Sequence, residues 1–191
     1  MRILIAGIGN IFLGDDGFGV QVAQRLTRES WPQGVAVMDF GIRGFDLACA
    51  LLEDYDAFVL IDAYPRGQAP GTLYIVEIDC ASIPHAPVWN IVDAHALDPL
   101  QVLKTVNAMG GTPKRVLLVG CEPEALSDEE QLEGRMGLSE PVEAAIEPAM
   151  AMVGSLVERI LEEAKYERSK AFEDAGNHGS GGSDHYAVAR Y

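Results

Sequence analysis

A chain of 191 residues, 48% hydrophobic and 23% charged, is long enough for one domain with a full core and too apolar to read as disordered throughout. Its formal net charge of −15 makes a surface that repels nucleic-acid phosphates and suits a cation or a basic protein partner, although solubility alone explains such a balance as well. Three cysteines without paired spacing, Cys49, Cys80 and Cys121, argue against a disulfide framework or a thiolate zinc cluster and fit a reducing cytoplasm; "MRILIAG" does not read as a signal peptide, and no apolar stretch reaches the length of a membrane span.

Taken in order, "RILIAGIGN" is a short apolar run ending in glycine, which predicts a buried strand. From Asp16 onward, Val20, Ala23 and Leu26 recur at helical spacing, with Asp16 placed to cap the helix. The opening therefore reads strand, glycine-rich loop, helix. "VAVMDFG" predicts a second strand, and "GFDLACALLED" a second helix whose apolar face takes Cys49 as a small core residue. "DAFVLIDAY" predicts a third strand, apolar over residues 57–61 and ending at Asp62, and the alternating "GTLYIVEI" a strand near a sheet edge. "SIPHAPVWNIVDAH", with two prolines and mixed polarity, reads as loop. "LDPLQVLKTVNAMGG" is a helix on the spacing of Leu100, Leu103, Val106 and Ala108, stopped by Gly110 and Gly111. "RVLLVGCEPE" is another buried strand, and "ALSDEEQLEGRMG" is acidic and irregular. The last helix, "LSEPVEAAIEPAMAMVGSLVERILEEA", starts with Ser139 at its N-cap and turns Val142, Ile146, Val153 and Ile160 one way; Pro148 falls inside it and predicts a kink or a local compensation. Strand and helix alternate through residues 1–166, which gives an α/β sandwich with a largely parallel sheet. Residues 167–191 are rich in glycine, serine and polar side chains and are expected to form a disordered tail. That tail is close to neutral, so the acidic excess sits on the folded part.

The stretch "GIGNIFLGDDGFG" invites two functional readings. As a dinucleotide site it offers Gly7 and Gly9, but Phe12 stands where the fingerprint needs glycine. Asp15 and Asp16 at the helix start would occupy the anion position themselves and repel a pyrophosphate. Asp39, ending the second strand, is where a ribose would bind, yet no Gly-Lys-Ser/Thr follows the loop to make a phosphate cradle. The other reading is a metal site. In an open α/β sheet ligands gather beyond the C-terminal strand ends, and there the pattern places Asp16, Asp39, Asp62, Glu122 and Glu124, with His95 of "VDAHALDP" in the connection before the middle helix. Asp16, Asp62 and His95 are an ordinary nitrogen and oxygen set for nickel or zinc. Each residue also has a plainer role: Asp16 as a cap, Asp62 as a strand-end turn residue, His95 as a loop histidine, the glycines as turn formers. The shared sheet edge is what raises the site above those roles. His85 reads as a surface residue, and His178 and His185 fall in the tail. Cys121 lies near the functional edge without a histidine at a recognisable offset, and no nucleophile-elbow serine occurs.

The opening "RILIAGIGNIFLGDDGFGVQVAQRL" resembles that of the hydrogenase maturation proteases, endopeptidases that trim the C-terminus of the large subunit of nickel–iron hydrogenases. The likeness continues through "VAVMDFGIRG", "DAFVLIDAYPRGQAPGTLYIVE", "DAHALDPLQVLKTV", "RVLLVGCEPE" and "GLSEPVEAAIEPAM", covering residues 2–163 in the family's order. Phe40 and Ile42 depart from the Asp-Gly-Gly-Thr common in the family, "ALSDEEQLEGRMGLS" is longer than the usual link, and residues 168–191 extend past the family pattern. The resemblance implies a three-layer α/β/α sandwich with a small twisted, mostly parallel (mixed) sheet. It implies that Asp16, Asp62 and His95 form a catalytic and metal-sensing triad, with Asp39 matching a further family acid. It also implies that the substrate is a precursor large subunit already loaded with nickel, so that nickel arrives with the substrate rather than residing in the enzyme. Such a metal either polarises the scissile carbonyl and activates water, or positions the peptide while a carboxylate acts as base. The family is labelled aspartic-type, but no Asp-Thr-Gly pair is present to support a shared-proton dyad. The expected protein is a cytoplasmic monomer with no nucleic acid partner and no membrane insertion. A nickel-binding accessory protein, a nucleotide-binding module and a peptidase of the same fold acting on spore proteins are the competing classes.

Overall fold

The computed structural model describes residues 1–83, 98–124 and 136–177, with the backbone alone from 171. The apolar runs become five strands of one sheet: β1 (Ile3–Ile8), β2 (Val35–Gly41), β3 (Ala57–Ala63), β4 (Leu73–Ile78) and β5 (Val116–Cys121), in the order β2-β1-β3-β5-β4. β2, β1, β3 and β5 run parallel, and β4 joins β5 antiparallel at the edge. Every residue of β1 and β5 is buried, as expected of parallel strands covered on both faces. β4, whose sequence alternates, is only partly buried along its length.

Helices cover both faces. Leu4, Ala6 and Ile8 of β1, Phe58 and Leu60 of β3 and Val116 and Leu118 of β5 share one core with α2 (Gly44–Leu51) and α3 (Pro99–Ala108), through Leu47, Leu51, Val102 and Val106. α1 (Phe18–Leu26) lies on the other face, where Ala23 sits over Gly7. This is the expected three-layer arrangement with a mixed, mostly parallel sheet. Cys49 departs from expectation. It is exposed, because Leu47, Ala48 and Leu51 occupy the buried side of α2 and a helix turns residue 49 well away from them.

The C-terminal helical region also differs from the sequence expectation. There are two helices: α4 (Glu140–Ala144) and α5 (Ile146–Asn177). The break at Ala145 precedes Pro148, whose ring would clash with the carbonyl four residues back, that of Ala144, in an unbroken helix. Once the chain restarts at Ile146, Pro148 falls in a first turn, where no intrahelical N–H is needed. Helical bonding resumes from the Ala149 N–H to the Ala145 carbonyl at 2.9 Å. Ile146, Ala149 and Val153 are buried, and Glu147 pairs with Arg25 of α1 at 3.0 Å.

Residues 1–155 form one compact unit and residues 156–191 another. The described part of the second unit is the remainder of α5, with Arg159 and Glu163 paired one turn apart. The helix continues through residues 167–177, which the sequence reading assigned to a disordered tail. No glycine or proline occurs between Glu167 and Gly176 to stop it. Residues 178–191, with His178 and His185, lie outside the described residues, as does the irregular reading of "ALSDEEQLEGR". Among the described residues no helix is long and apolar enough to cross a membrane.

Candidate functional site

The C-terminal edge of the parallel strands gathers the acids. Asp62 is the penultimate residue of β3, level with Gly120 of β5, and Asp39 stands level with Gly7 on β2. Asp16 lies in a single 3-10 turn, Gly14–Gly17, joining β1 to α1. The glycines of the opening loop serve packing here. A Cβ on Gly19 would lie 2.0 Å from the Ile61 carbonyl oxygen and 2.4 Å from that of Ile8, so only glycine lets the start of α1 rest on the ends of β1 and β3. Gly9, at φ 127°, has the Asp16 carbonyl oxygen where a side chain would be. The loop is thus a close backbone joint that delivers Asp16 to the strand ends.

Asp62 is 3% exposed. Burial pushes its carboxyl well above the usual range, and the charge of Asp16 adds to this; the Ala63 N–H opposes it, and the charge of Asp98 adds a smaller push. Burial also raises Asp16, against the N–H of Asn10, which donates to its Oδ2 at 2.7 Å. The two aspartates therefore sit in each other's field in a poorly solvated corner. Asp16 does not cap α1: the cap position is Gly17, and no side-chain bond is made there. The Asn10 amide has taken the carboxylate instead.

Asp15, its neighbour, was grouped with Asp16 as an acid at the helix start but has a different task. It is 3% exposed. Its Oδ1 accepts the Ser139 N–H at 2.6 Å, and its Oδ2 accepts the Ser139 hydroxyl and the Glu124 N–H, both at 2.8 Å. One carboxylate thereby ties the 3-10 turn to the segment after β5 and to the start of α4. Ser139 stands at the expected N-cap of α4 with an extended backbone, but its side chain makes no cap bond, because its hydroxyl donates to Asp15. The adjacent pair of aspartates was the only sequence sign that two roles were present.

Around Asp62 the setting is tightly bonded. Tyr74 of β4 lies across Gly120, donates its hydroxyl to the Tyr64 carbonyl and carries the Arg66 guanidinium 4.8 Å above its ring. Burial, with the charge of Glu122, pushes the Tyr74 phenol up to about 12. Burial raises Glu122, but the N–H groups of Arg66, Gln68 and Gly67 outweigh it and hold the carboxyl below its usual range. Glu122 is therefore a loop organiser. Cys121 is buried, and burial with the nearby acids pushes its thiol up to about 12, so it carries no nucleophilic thiolate.

His95 and His85 lie outside the described residues. The chain is described again from Asp98, whose carboxylate caps α3 through the Leu100 N–H at 2.9 Å. Because Asp98 is felt at Asp62, α3 starts at the same edge as the aspartates. Among the described residues no group of three or more His, Cys, Asp or Glu side chains is arranged to hold a metal ion. Asp39 faces another way: its carboxylate accepts the Gln24 amide at 2.9 Å in a groove of about 270 Å³ between the opening loop and the β2–α2 turn.

The family model for hydrogenase maturation proteases matches residues 20–156. The hydrogenase 2 maturation protease of Escherichia coli is 36% identical over 155 residues, covering 80% of this chain and 88% of that one. The hydrogenase expression/formation protein HoxM of Azotobacter vinelandii is 38% identical over 150 residues, covering 78% and 69%. Among solved structures, the hydrogenase maturating endopeptidase HybD from E. coli is similar with a TM-score of 0.63 at 30% identity, covering 83% of this chain and 93% of that one.

Proposed function

The chain belongs to the hydrogenase maturation protease family, and from that premise we propose that it removes a C-terminal extension from the nickel-loaded precursor large subunit of a nickel–iron hydrogenase. Asp16, Asp62 and His95 are the proposed site, catalytic in effect and the place where nickel carried by the precursor is sensed. The observation that carries this reading is the pairing of Asp16 with buried Asp62, each raised by burial and Asp62 also by the charge of Asp16. Two carboxylates crowded in a poorly solvated corner gain when a divalent cation offsets their repulsion. Asp98, felt at Asp62, puts the segment that follows His95 at the same edge, where an imidazole would complete a nitrogen and oxygen set suited to nickel.

On this reading the cut is gated. A precursor without nickel leaves the two acids repelling each other and the scissile bond unplaced. A loaded precursor brings the cation that binds them and so fixes the peptide against the sheet edge, where a carboxylate would take a proton from water. Aspartic-type then describes the acids used, not a shared-proton dyad. On the same reading the enzyme acts as a monomer in the cytoplasm and holds no nickel of its own at rest. Asp16→Asn, Asp62→Asn and His95→Ala should each reduce cleavage of the nickel-loaded precursor by at least about a hundredfold, with folds intact by circular dichroism. A variant that cuts at the normal rate removes its residue from the site.

A further inference from the structure

The groove that holds Asp39 lies against the opening loop that carries Asp16, and part of its rim is apolar and exposed. Gly9, Asn10, Ile11 and Phe12 line it from the opening loop; from the end of β2 come Ile42, exposed, and Phe40, whose side chain is buried in the core. Phe12 and Ile42 are each 61% exposed, and Ile11 is 42% exposed. Exposed aromatic and branched side chains beside a cleft mark a contact surface more often than a solvated one. At about 270 Å³ the groove falls just below the roughly 300–1,000 Å³ of a site for a whole small molecule, which suits one or two side chains of a longer chain better than a cofactor. Its cation is already committed: Arg43 donates to the carbonyls of Asp39 and Phe40 and pairs with Asp46. It is therefore poorly placed to receive a phosphate or a free carboxylate.

The groove and the aspartate site share a residue. Asn10 lines it, and the Asn10 N–H is the donor to the Asp16 carboxylate at 2.7 Å. β2, which supplies its other wall, is an outer strand of the sheet, and an outer strand offers its free backbone edge to an extended peptide. We propose that this groove is the substrate's peptide subsite: an extended segment of the precursor flanking the cut places a large apolar side chain between Phe12 and Ile42 while its backbone leads onto the edge of Asp16 and Asp62. This rests on the protease reading above. The chemical class is an apolar, extended peptide, and selection among precursors follows from how well that side chain fills the groove.

Steady-state cleavage of nickel-loaded precursor by the full chain separates the two readings. Wild-type protein that cuts nothing overturns the protease reading and the subsite with it. With wild-type cleavage established, Phe12→Glu and Ile42→Glu should raise KM roughly tenfold or more with kcat within about twofold, since anchoring side chains at contact centres carry that much. Phe12→Ala should give a smaller rise in the same direction and guards against a folding defect in the charged variants. Unchanged KM in all three, with wild-type melting curves, overturns the subsite and leaves the protease. Concentration-dependent sedimentation of the wild type, abolished by Phe12→Glu at unchanged KM, overturns it in favour of contact between two copies of the chain.

Discussion

Replacing Asp15 by asparagine perturbs one buried carboxylate that accepts three hydrogen bonds, from the Ser139 N–H, the Ser139 hydroxyl and the Glu124 N–H. The amide is nearly isosteric, so the loss is electrical and directional. Its remaining oxygen can keep the Ser139 N–H. The Ser139 hydroxyl can rotate and accept from the new NH₂ group. The Glu124 N–H cannot invert, and it is left facing a donor. A hydrogen bond to a charged group contributes about 1.5–3 kcal/mol against about 1 kcal/mol for a neutral one. One such bond is lost and two are weakened, while burying a neutral amide costs less than burying a carboxylate. The balance is a loss of about 2–4 kcal/mol. At an m-value of about 2 kcal/mol/M the urea midpoint should fall by about 1–2 M. Ser139→Ala, which removes only the hydroxyl donor, should cost about half as much. Amide exchange at Glu124 and Ser139 should quicken in the asparagine variant before exchange in β1 does. A midpoint within about 0.2 M of wild type would refute the view that Asp15 ties the 3-10 turn to the start of α4.

Gly19→Ala should cost about 1–3 kcal/mol or more in urea unfolding, because its Cβ meets two carbonyl oxygens rather than a movable side chain; a change below about 0.5 kcal/mol would contradict the close seating of α1 on β1 and β3. Asp62→Asn should raise the melting temperature at neutral pH. The folded carboxyl of Asp62 is raised above its unfolded value, so the contribution of its protonated form is full below about pH 3.9 and is lost as pH rises through the folded value. The advantage of the asparagine variant should therefore shrink from about pH 8 toward pH 4, and an advantage that grows on acidification would contradict the assignment. Cys121 should resist alkylation by iodoacetamide at pH 8 in the folded protein while exposed Cys49 reacts; equal rates would contradict the burial of Cys121.

Much of the fold was legible in the sequence because the parallel strands are nearly continuous apolar runs, the apolar residues of the helices recur at helical spacing, and Gly110 and Gly111 stop α3. β4 was legible as an edge from its alternation alone. What the sequence hid was the choice made by individual polar groups. Asp16 has the composition of a helix cap, yet the Asn10 N–H competes for its carboxylate and wins. Ser139 has the position of a cap, yet its hydroxyl serves Asp15, 124 residues away in sequence. Such long-range partners leave no local pattern. Cys49 misled because four of its near neighbours on α2, Leu47, Ala48, Ala50 and Leu51, are buried, and an apolar stretch too short to show a clear period conceals which residue faces out. Pro148 was correctly read as disruptive, but its effect appears three residues earlier, at Ala145, where the helix stops before the clash can form. At the candidate site, the sheet edge shared by Asp16 and Asp62 followed from topology. Their mutual repulsion and the part of Asp98 required the packed structure.

The most direct test mixes the protein with its precursor large subunit in nickel-loaded and nickel-free forms and weighs the products by mass spectrometry. Loss of a short C-terminal peptide from the loaded precursor alone is the predicted result. Cleavage of both forms at equal rates would contradict nickel sensing by Asp16, Asp62 and His95, and cleavage of neither, with the fold intact, would contradict the protease function itself.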